Sequence, residues 1–257
     1  MLSMFLVESK RQWLIFKRYP VESIAGVVIF TIIFIGLFAG SKYLAGAGVH
    51  FGNRLDLVIA GYILWLVTTG LFAGPGALLL EDTRLGIIEQ LFVSPLNFAA
   101  FTAMRIFSGL VQHLLLIAIL VVIISLITGS RLDYRWIEIL PFAGVILATS
   151  GLGLATAAYA LLAKQVSAIL SIGQFVLLSL VVTPIQSFGV WGAWLSAITP
   201  INPAAQLLQH QLADGYSAGN GELMVALGNG VVYFLAGVYL LELASRRARR
   251  LASVGQF

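Results

Sequence analysis

The sequence contains no cysteine. This excludes disulfide frameworks and thiolate metal sites. Charge is scarce as well: Asp, Glu, Lys and Arg make up 10% of the chain, against roughly a quarter in an ordinary soluble domain. There is no G-x-x-x-x-G-K-[ST] loop to cradle phosphates. The lysines follow Ser9, Phe16, Ser41 and Ala163, never a glycine. His50, His113 and His210 are too far apart for a paired metal motif, and no Ser/His/Asp set can be assembled from the sequence. No cofactor, metal or catalytic residue is therefore expected in this chain. The net charge of +4 sits at the ends and loop edges, so no nucleic-acid partner is expected.

Long apolar runs fill the space these absences leave. Hydrophobic residues make up 60% of the chain, and several runs reach the ~20 residues that cross a bilayer as a helix. Residues 1–19 read as an amphipathic interface helix, with Lys10, Arg11, Lys17 and Arg18 on one face and Leu2, Leu6, Trp13 and Phe16 on another. Spans follow at Ser23–Gly40, Leu57–Leu80, Phe98–Gly129, Ile139–Ala163, Gln165–Thr183 and Leu223–Leu241. Gly74-Pro75-Gly76 is expected to kink the second. Arg105 is expected to snorkel from the third toward water. Gly144, Ala148, Gly151, Ala155 and Ala158 form a small-residue stripe that suits close helix packing. Asn229 is expected to bond across helices, and Glu242 to pair with Arg246 at i+4.

Between Gln165 and Ala213 there is no charge, yet Pro184, Gly189, Gly192, Pro200 and Pro203 interrupt the run. Val190–Thr199 is too short to cross, and Asn202-Pro203 opens another short helix. Counting Lys and Arg by side decides the topology. With both termini inside, the inner set is Lys10, Arg11, Lys17, Arg18, Arg84, Arg105, Lys164, Arg246, Arg247, Arg249 and Arg250. Only Lys42, Arg54, Arg131 and Arg135 lie outside. Two basic ends require an even number of crossings, so residues 184–212 dip in and return, or lie flat on the outer face. Residues 245–257 form a basic inner tail.

Residues 81–95, EDTRLGIIEQLFVSP, gather charge in the middle of the chain. As a helix, Leu85, Ile88 and Phe92 share one face, Asp82 or Thr83 can cap its start, and Pro95 stops it. An acidic pair, an arginine, a glycine and a Glu-Gln-Leu run closed by Ser-Pro resemble the cytoplasmic coupling helix of type-2 ABC exporter permeases, closest to the drug- and lipid-exporting branch. The rest of the chain follows that family's layout nearly end to end. The resemblance implies an all-α polytopic membrane protein, with residues 1–257 as one permease domain. It would have six transmembrane helices, the N-terminal interface helix, a coupling helix between spans two and three, and a re-entrant outer hairpin between spans five and six.

It further implies a partner ABC ATPase in two copies, which would carry ATP and Mg, and a second permease copy, so that this chain supplies half a pathway. It places the protein in a bacterial-type cytoplasmic (inner) membrane. Glu81, Asp82, Arg84 and Glu89 would touch the ATPase, while Leu85, Ile88 and Phe92 would fix the helix to the permease. Pro184, Gly189, Gly192, Pro200, Asn202 and Pro203 would form an outer gate. Tyr62, Trp65, Thr69 and Phe72 share a face of the second span; they line a pathway for hydrophobic or amphipathic cargo, or they pack against a neighbouring helix or lipid. The expected function is outward, ATP-driven movement of such a molecule. The alternatives are export of a lipid-linked polysaccharide, and a membrane anchor or assembly factor that transports nothing.

Overall fold

In the computed structural model, residues 2–45, 52–88, 91, 98–129, 138–163, 166–214 and 216–251 are described. They are helical throughout, with short connections and no strand among them. The helices are α1 (Leu2–Arg18), α2 (Pro20–Ala45), α3 (Gly52–Arg84), α4 (Phe98–Thr128), α5 (Ile139–Leu162), α6 (Ser167–Val182), α7 (Gly189–Ile198), α8 (Asn202–Asp214) and α9 (Asn220–Leu251). Four regions are long and apolar enough to cross a membrane: Leu57–Arg84, Phe98–Thr128, Ile139–Leu162 and Asn220–Arg250. Two shorter apolar helices, Ile24–Gly40 and Ser167–Val182, accompany them. The chain is thus a multi-pass membrane protein.

The core is built on α5, whose most extensive pairing is with α9 and whose next is with α3. Glycines make both possible. A Cβ at Gly144 would lie 2.8 Å from the Ala226 carbonyl oxygen, and one at Gly230 would lie 2.6 Å from that of Gly144. Seven residues on, a Cβ at Gly151 would strike the Tyr233 carbonyl oxygen and one at Gly237 would strike that of Gly151, which leaves no room for a side chain. The register rises along both helices together, so α5 and α9 run parallel at close range. The expected stripe of α5 is therefore a packing seam. Its counterpart, Gly230 and Gly237, was not read from the sequence.

On its other side α5 meets α3 where Pro75 interrupts the hydrogen-bond ladder. Pro75 has no N–H, so the Leu71 carbonyl loses its helical donor. The Gly153 Cα lies against that oxygen, and the Thr156 hydroxyl donates to the neighbouring Phe72 carbonyl at 2.9 Å. α3 runs through Gly74-Pro75-Gly76 without a break, the exposed carbonyls covered by α5. The proline site is packed against a neighbour, which leaves no loose joint there.

Leu71 faces Gly153 and Gly76 faces Thr156, so α3 also runs parallel to α5. α4 runs the other way: Arg105 meets Asp82, while His113 meets Leu66. α2 opposes α3, because Phe34 packs on Tyr62 while Gly26 shares a cavity with Leu66; the Tyr62 hydroxyl donates to the Phe30 carbonyl at 2.6 Å. α6 opposes α3 as well, because Gly173 abuts Phe72 while Gln209 reaches from Gly61 to the Val181 carbonyl. Direction thus alternates along α2, α3, α4, α5, α6 and α9. One end of the bundle collects Arg84, Arg105 and Arg246–Arg250; we call it the basic end. α9 carries its helix through the arginines to Leu251, so the described part of the basic tail is the last turns of a helix. There Arg246 pairs with Glu242 at 2.7 Å. The opposite end carries α7 and α8.

Candidate functional site

At the basic end, α3 extends through Arg84 before the chain turns at Leu85 and Gly86. Gly86 has φ +69, a left-handed conformation glycine adopts without steric cost. Leu85 N–H reaches Glu81 O at 3.0 Å and Gly86 N–H reaches Thr83 O at 3.1 Å. Helical backbone resumes at Ile87 and Ile88. The expectation that Asp82 or Thr83 opens a helix is corrected here. Both lie in the last turn of α3, and the Thr83 hydroxyl donates back to Leu79 O at 2.7 Å. Glu81 and Asp82 thus stand at the negative end of a helix dipole, where a carboxylate needs a cation.

Arg105 of α4 supplies that cation. Its side chain and that of Asp82 are 5% and 6% exposed and form an ion pair, with the guanidinium donating to Asp82 Oδ2. Arg105 Nε also lies 3.4 Å from Glu8 Oε1 of α1, and Glu8 pairs with Arg11 at 2.8 Å. The expected snorkelling of Arg105 is therefore corrected: two carboxylates hold it inside the protein, where it ties α1, α3 and α4 together. Ser9 and Ser108 add a hydroxyl–hydroxyl bond of 3.0 Å beside it. Of the expected coupling residues, Glu81, Arg84 and Leu85 are exposed, Asp82 is buried with Arg105, and Ile88 is fully buried. Glu89 and Phe92 lie outside the described residues. Leu85 is 65% exposed, so in this structure it does not fasten the segment to the bundle.

At the other end, α7 and α8 form a helical hairpin between α6 and α9. Its tip is a three-residue turn in which Asn202 N–H reaches Pro200 O at 2.7 Å. The central residue, Ile201, has φ +70 and is fully buried. A β-branched residue in that region is strained. Asn202 clamps the turn. Its Oδ1 accepts from the Ser196 hydroxyl at 2.8 Å, and its Nδ2 donates to Leu180 O at 2.7 Å and Thr183 O at 3.1 Å. Gln206 and Gln209 donate to Val181 O at 3.1 and 3.0 Å. Asn229 donates to Ala197 O and Thr199 O, and the Tyr233 hydroxyl to Ile198 O. The last carbonyls of a helix lack intrahelical partners. Here the amides of α8 serve those of α6, and α9 serves those of α7. Gly192 packs on Ile185 O, Gly189 takes φ +73, Pro184 is exposed and Pro203 is buried. Pro203, Leu207, His210 and Glu222 line a cavity of about 620 Å³ between hairpin and α9. At its rim the Tyr216 hydroxyl donates to Glu222, and that bond together with the carboxylate charge holds the phenol above its ordinary pKa.

An amphipathic first helix, a bundle of alternating apolar helices, a charged break after the second and a short hairpin before the last call for comparison with known proteins. The family model described as ABC-2 type transporter matches residues 4–212. The chain belongs to the ABC-2 type transporter family. No curated protein matches it. The matched range covers α1 to α8, while α9 joins the permease through its glycine seam with α5.

The aromatic face of α3 in this permease is occupied by its neighbours. The Tyr62 ring lies 5.3 Å from Phe34 and 5.7 Å from Trp65, and Phe72 fills the space left by Gly173. Trp65 Nε1 and Thr69 Oγ1 are buried without a hydrogen-bond partner among the described residues. Sequence reasoning missed Glu8, Gln206 and Gln209. Glu8 had a signal, being the one acid in a basic helix. The two glutamines had none, because a helix-end carbonyl is located only by the fold.

Proposed function

We propose that this permease is the membrane subunit of an ATP-driven exporter, moving a hydrophobic or amphipathic molecule of the drug or lipid kind outward. The observation that carries the reading is the break at Gly86. It leaves Glu81, Arg84 and Leu85 exposed at the end of a helix whose next inward residue, Asp82, is locked to α1 and α4. A push on an exposed edge so connected reaches three helices at once. Residues 81–95 are the coupling segment, on which an ABC ATPase acts, with two ATPase copies and a second permease copy completing the assembly. ATP and Mg belong to that ATPase.

In this reading the helices cross six times, with α2 and α6 as the first and fifth spans. The positive charge at the basic end puts both termini in the cytoplasm of an inner membrane. Residues 184–212 are re-entrant. Asn229 lies nine residues into α9, so the α7 terminus that it bonds sits about 14 Å below the start of α9 at 1.5 Å per residue. Non-helical backbone is tolerated at such depth only where protein satisfies it, and Asn202, Gln206 and Asn229 do so. The hairpin is the outer gate. Trp65 Nε1 and Thr69 Oγ1 would meet polar groups of the cargo once the helices that bury them part.

The test is purification of the tagged permease in mild detergent, followed by flux and ATP hydrolysis in proteoliposomes. A stoichiometric ATPase is expected. Exchanging the charges, Glu81→Arg with Arg84→Glu, is expected to leave folding intact and cut cargo-stimulated hydrolysis at least tenfold. Recovery of the permease without any ATPase, even after crosslinking, would move the membrane-anchor reading to the front.

A further inference from the structure

We infer that this chain holds an anionic membrane phospholipid, with one acyl chain in a furrow running along α4. Two cavities lie end to end there. One, of about 230 Å³, lies between α1, α3 and α4; the other, of about 250 Å³, lies between α2, α3 and α4. His113 lines both. Its ring sits over Gly70, which has no space for a Cβ, and its Nε2 is 3.1 Å from Leu66 O. The imidazole is thus the wall that the two cavities share, and we read them as two halves of one furrow along α4.

The glycines along this furrow differ from those of the α5 seam. A Cβ at Gly144, Gly151 or Gly237 would strike backbone. A Cβ at Gly74 or Gly109, in the first cavity, or at Gly26, in the second, would meet nothing within 4 Å. These glycines bring no helices together; they leave a channel. From Arg105 to Leu120, the furrow follows fifteen residues of α4, about 22 Å at 1.5 Å per residue. That exceeds half of the ~30 Å hydrocarbon core, a length that suits one acyl chain. Wall atoms facing a void lose dispersion contacts that a chain restores.

The mouth fixes the headgroup. Gln12 of α1 and Arg105 line it. α1 carries Lys10, Arg11, Lys17 and Arg18 against Glu8, four positive charges and one negative, hence +3. Glu8 is paired with Arg11 and Arg105, and Asp82 with Arg105, so neither carboxylate cancels the charge of the lysines; Arg105 Nε, 3.4 Å from Glu8 Oε1, is in its ion pair without a hydrogen bond. An anionic phosphate over Gln12 meets the excess of positive charge that attracts acidic lipid at an interface. The inference rests on α1 lying at the inner membrane face. It requires neither transport nor an ATPase, so its failure leaves the exporter reading standing.

The experiment places the permease in phosphatidylcholine nanodiscs with a trace of phosphatidylglycerol bearing a photoreactive acyl chain, then maps the label by mass spectrometry. Label is expected on α3 and α4 around Gly70 and Gly109. Gly109→Leu and Gly26→Leu put bulk into the furrow at positions where the added Cβ meets nothing within 4 Å, and each is expected to cut that label at least tenfold. Gly228→Leu, where a Cβ also meets nothing but which lies on α9, is expected to leave it unchanged. Thermal melting of each variant controls for folding. Gln12→Glu, which adds a negative charge at the mouth, is expected to cut the label severalfold with the furrow intact. Undiminished label in a folded Gly109→Leu overturns the furrow. Equal label from a phosphatidylcholine probe of the same chain overturns the anionic headgroup.

Discussion

The two ends of the bundle solve one problem with different chemistry. Each fastens short helical segments to the long helices of the bundle. The basic end uses ions: Arg11, Glu8, Arg105 and Asp82 form a chain of charge across α1, α3 and α4. The hairpin end uses neutral amides, with Asn202, Gln206, Gln209 and Asn229 donating to carbonyls at helix ends. The difference follows from what each must satisfy. At the end of α3 two carboxylates need a cation. In the hairpin the groups in need are backbone oxygens, which a neutral amide serves without the desolvation cost of a buried charge. A charged clamp can be opened by a competing charge or by water. An amide clamp yields only if the helix ends move.

The largest expected effect tests the ionic side. Arg105→Leu leaves Asp82 buried without its cation and Glu8 with Arg11 alone, and is expected to destabilise the fold by about 3–5 kcal/mol. The double variant Arg105→Leu, Asp82→Leu is expected to recover much of that loss. Equal loss in both, by chemical denaturation in detergent, would show that the pair is not the unit holding this end. On the amide side, Asn202→Ala strands the Leu180 carbonyl and takes the acceptor from the Ser196 hydroxyl, while Thr183 O keeps the Ile185 N–H and Gln206. The variant is expected to cost about 1–3 kcal/mol and to speed hydrogen exchange in α7 before α5. Exchange rising uniformly would show that the hairpin has no stability of its own to lose. The smallest effect is at the rim. Glu222→Gln removes the charge that raises the Tyr216 pKa, so the phenol is expected to titrate at lower pH. Ultraviolet titration against Tyr216→Phe reads the shift; an unmoved midpoint would contradict the carboxylate charge of Glu222 as a cause.

The comparison also separates what could be read in advance. Hydrophobic run length gave the helices, because a backbone in hydrocarbon has to bond to itself. The seven residues expected at the coupling segment were named on an assumed helix starting near Asp82. The structure instead ends α3 at Arg84 and turns at Gly86, so exposure falls on Glu81, Arg84 and Leu85 and burial on Asp82 and Ile88. Helical periodicity is legible in a sequence; its phase across a break is not. The expected hairpin elements matched α7 and α8 closely, since proline and glycine mark their ends, but nothing local assigns Gln206 and Gln209 to the end of α6.

The sequence by itself determined the class of protein, its alternating apolar helices, the accumulation of positive charge toward one end and the places where helices stop. Those depend on composition and local backbone chemistry. Only the tertiary structure decided that Arg105 is buried with Asp82 and Glu8, that Gly151 faces Gly237, and that Gly109 faces open space. A charge, a glycine or an amide has the same local preferences wherever it stands; its role depends on which atom from a distant part of the chain arrives opposite it.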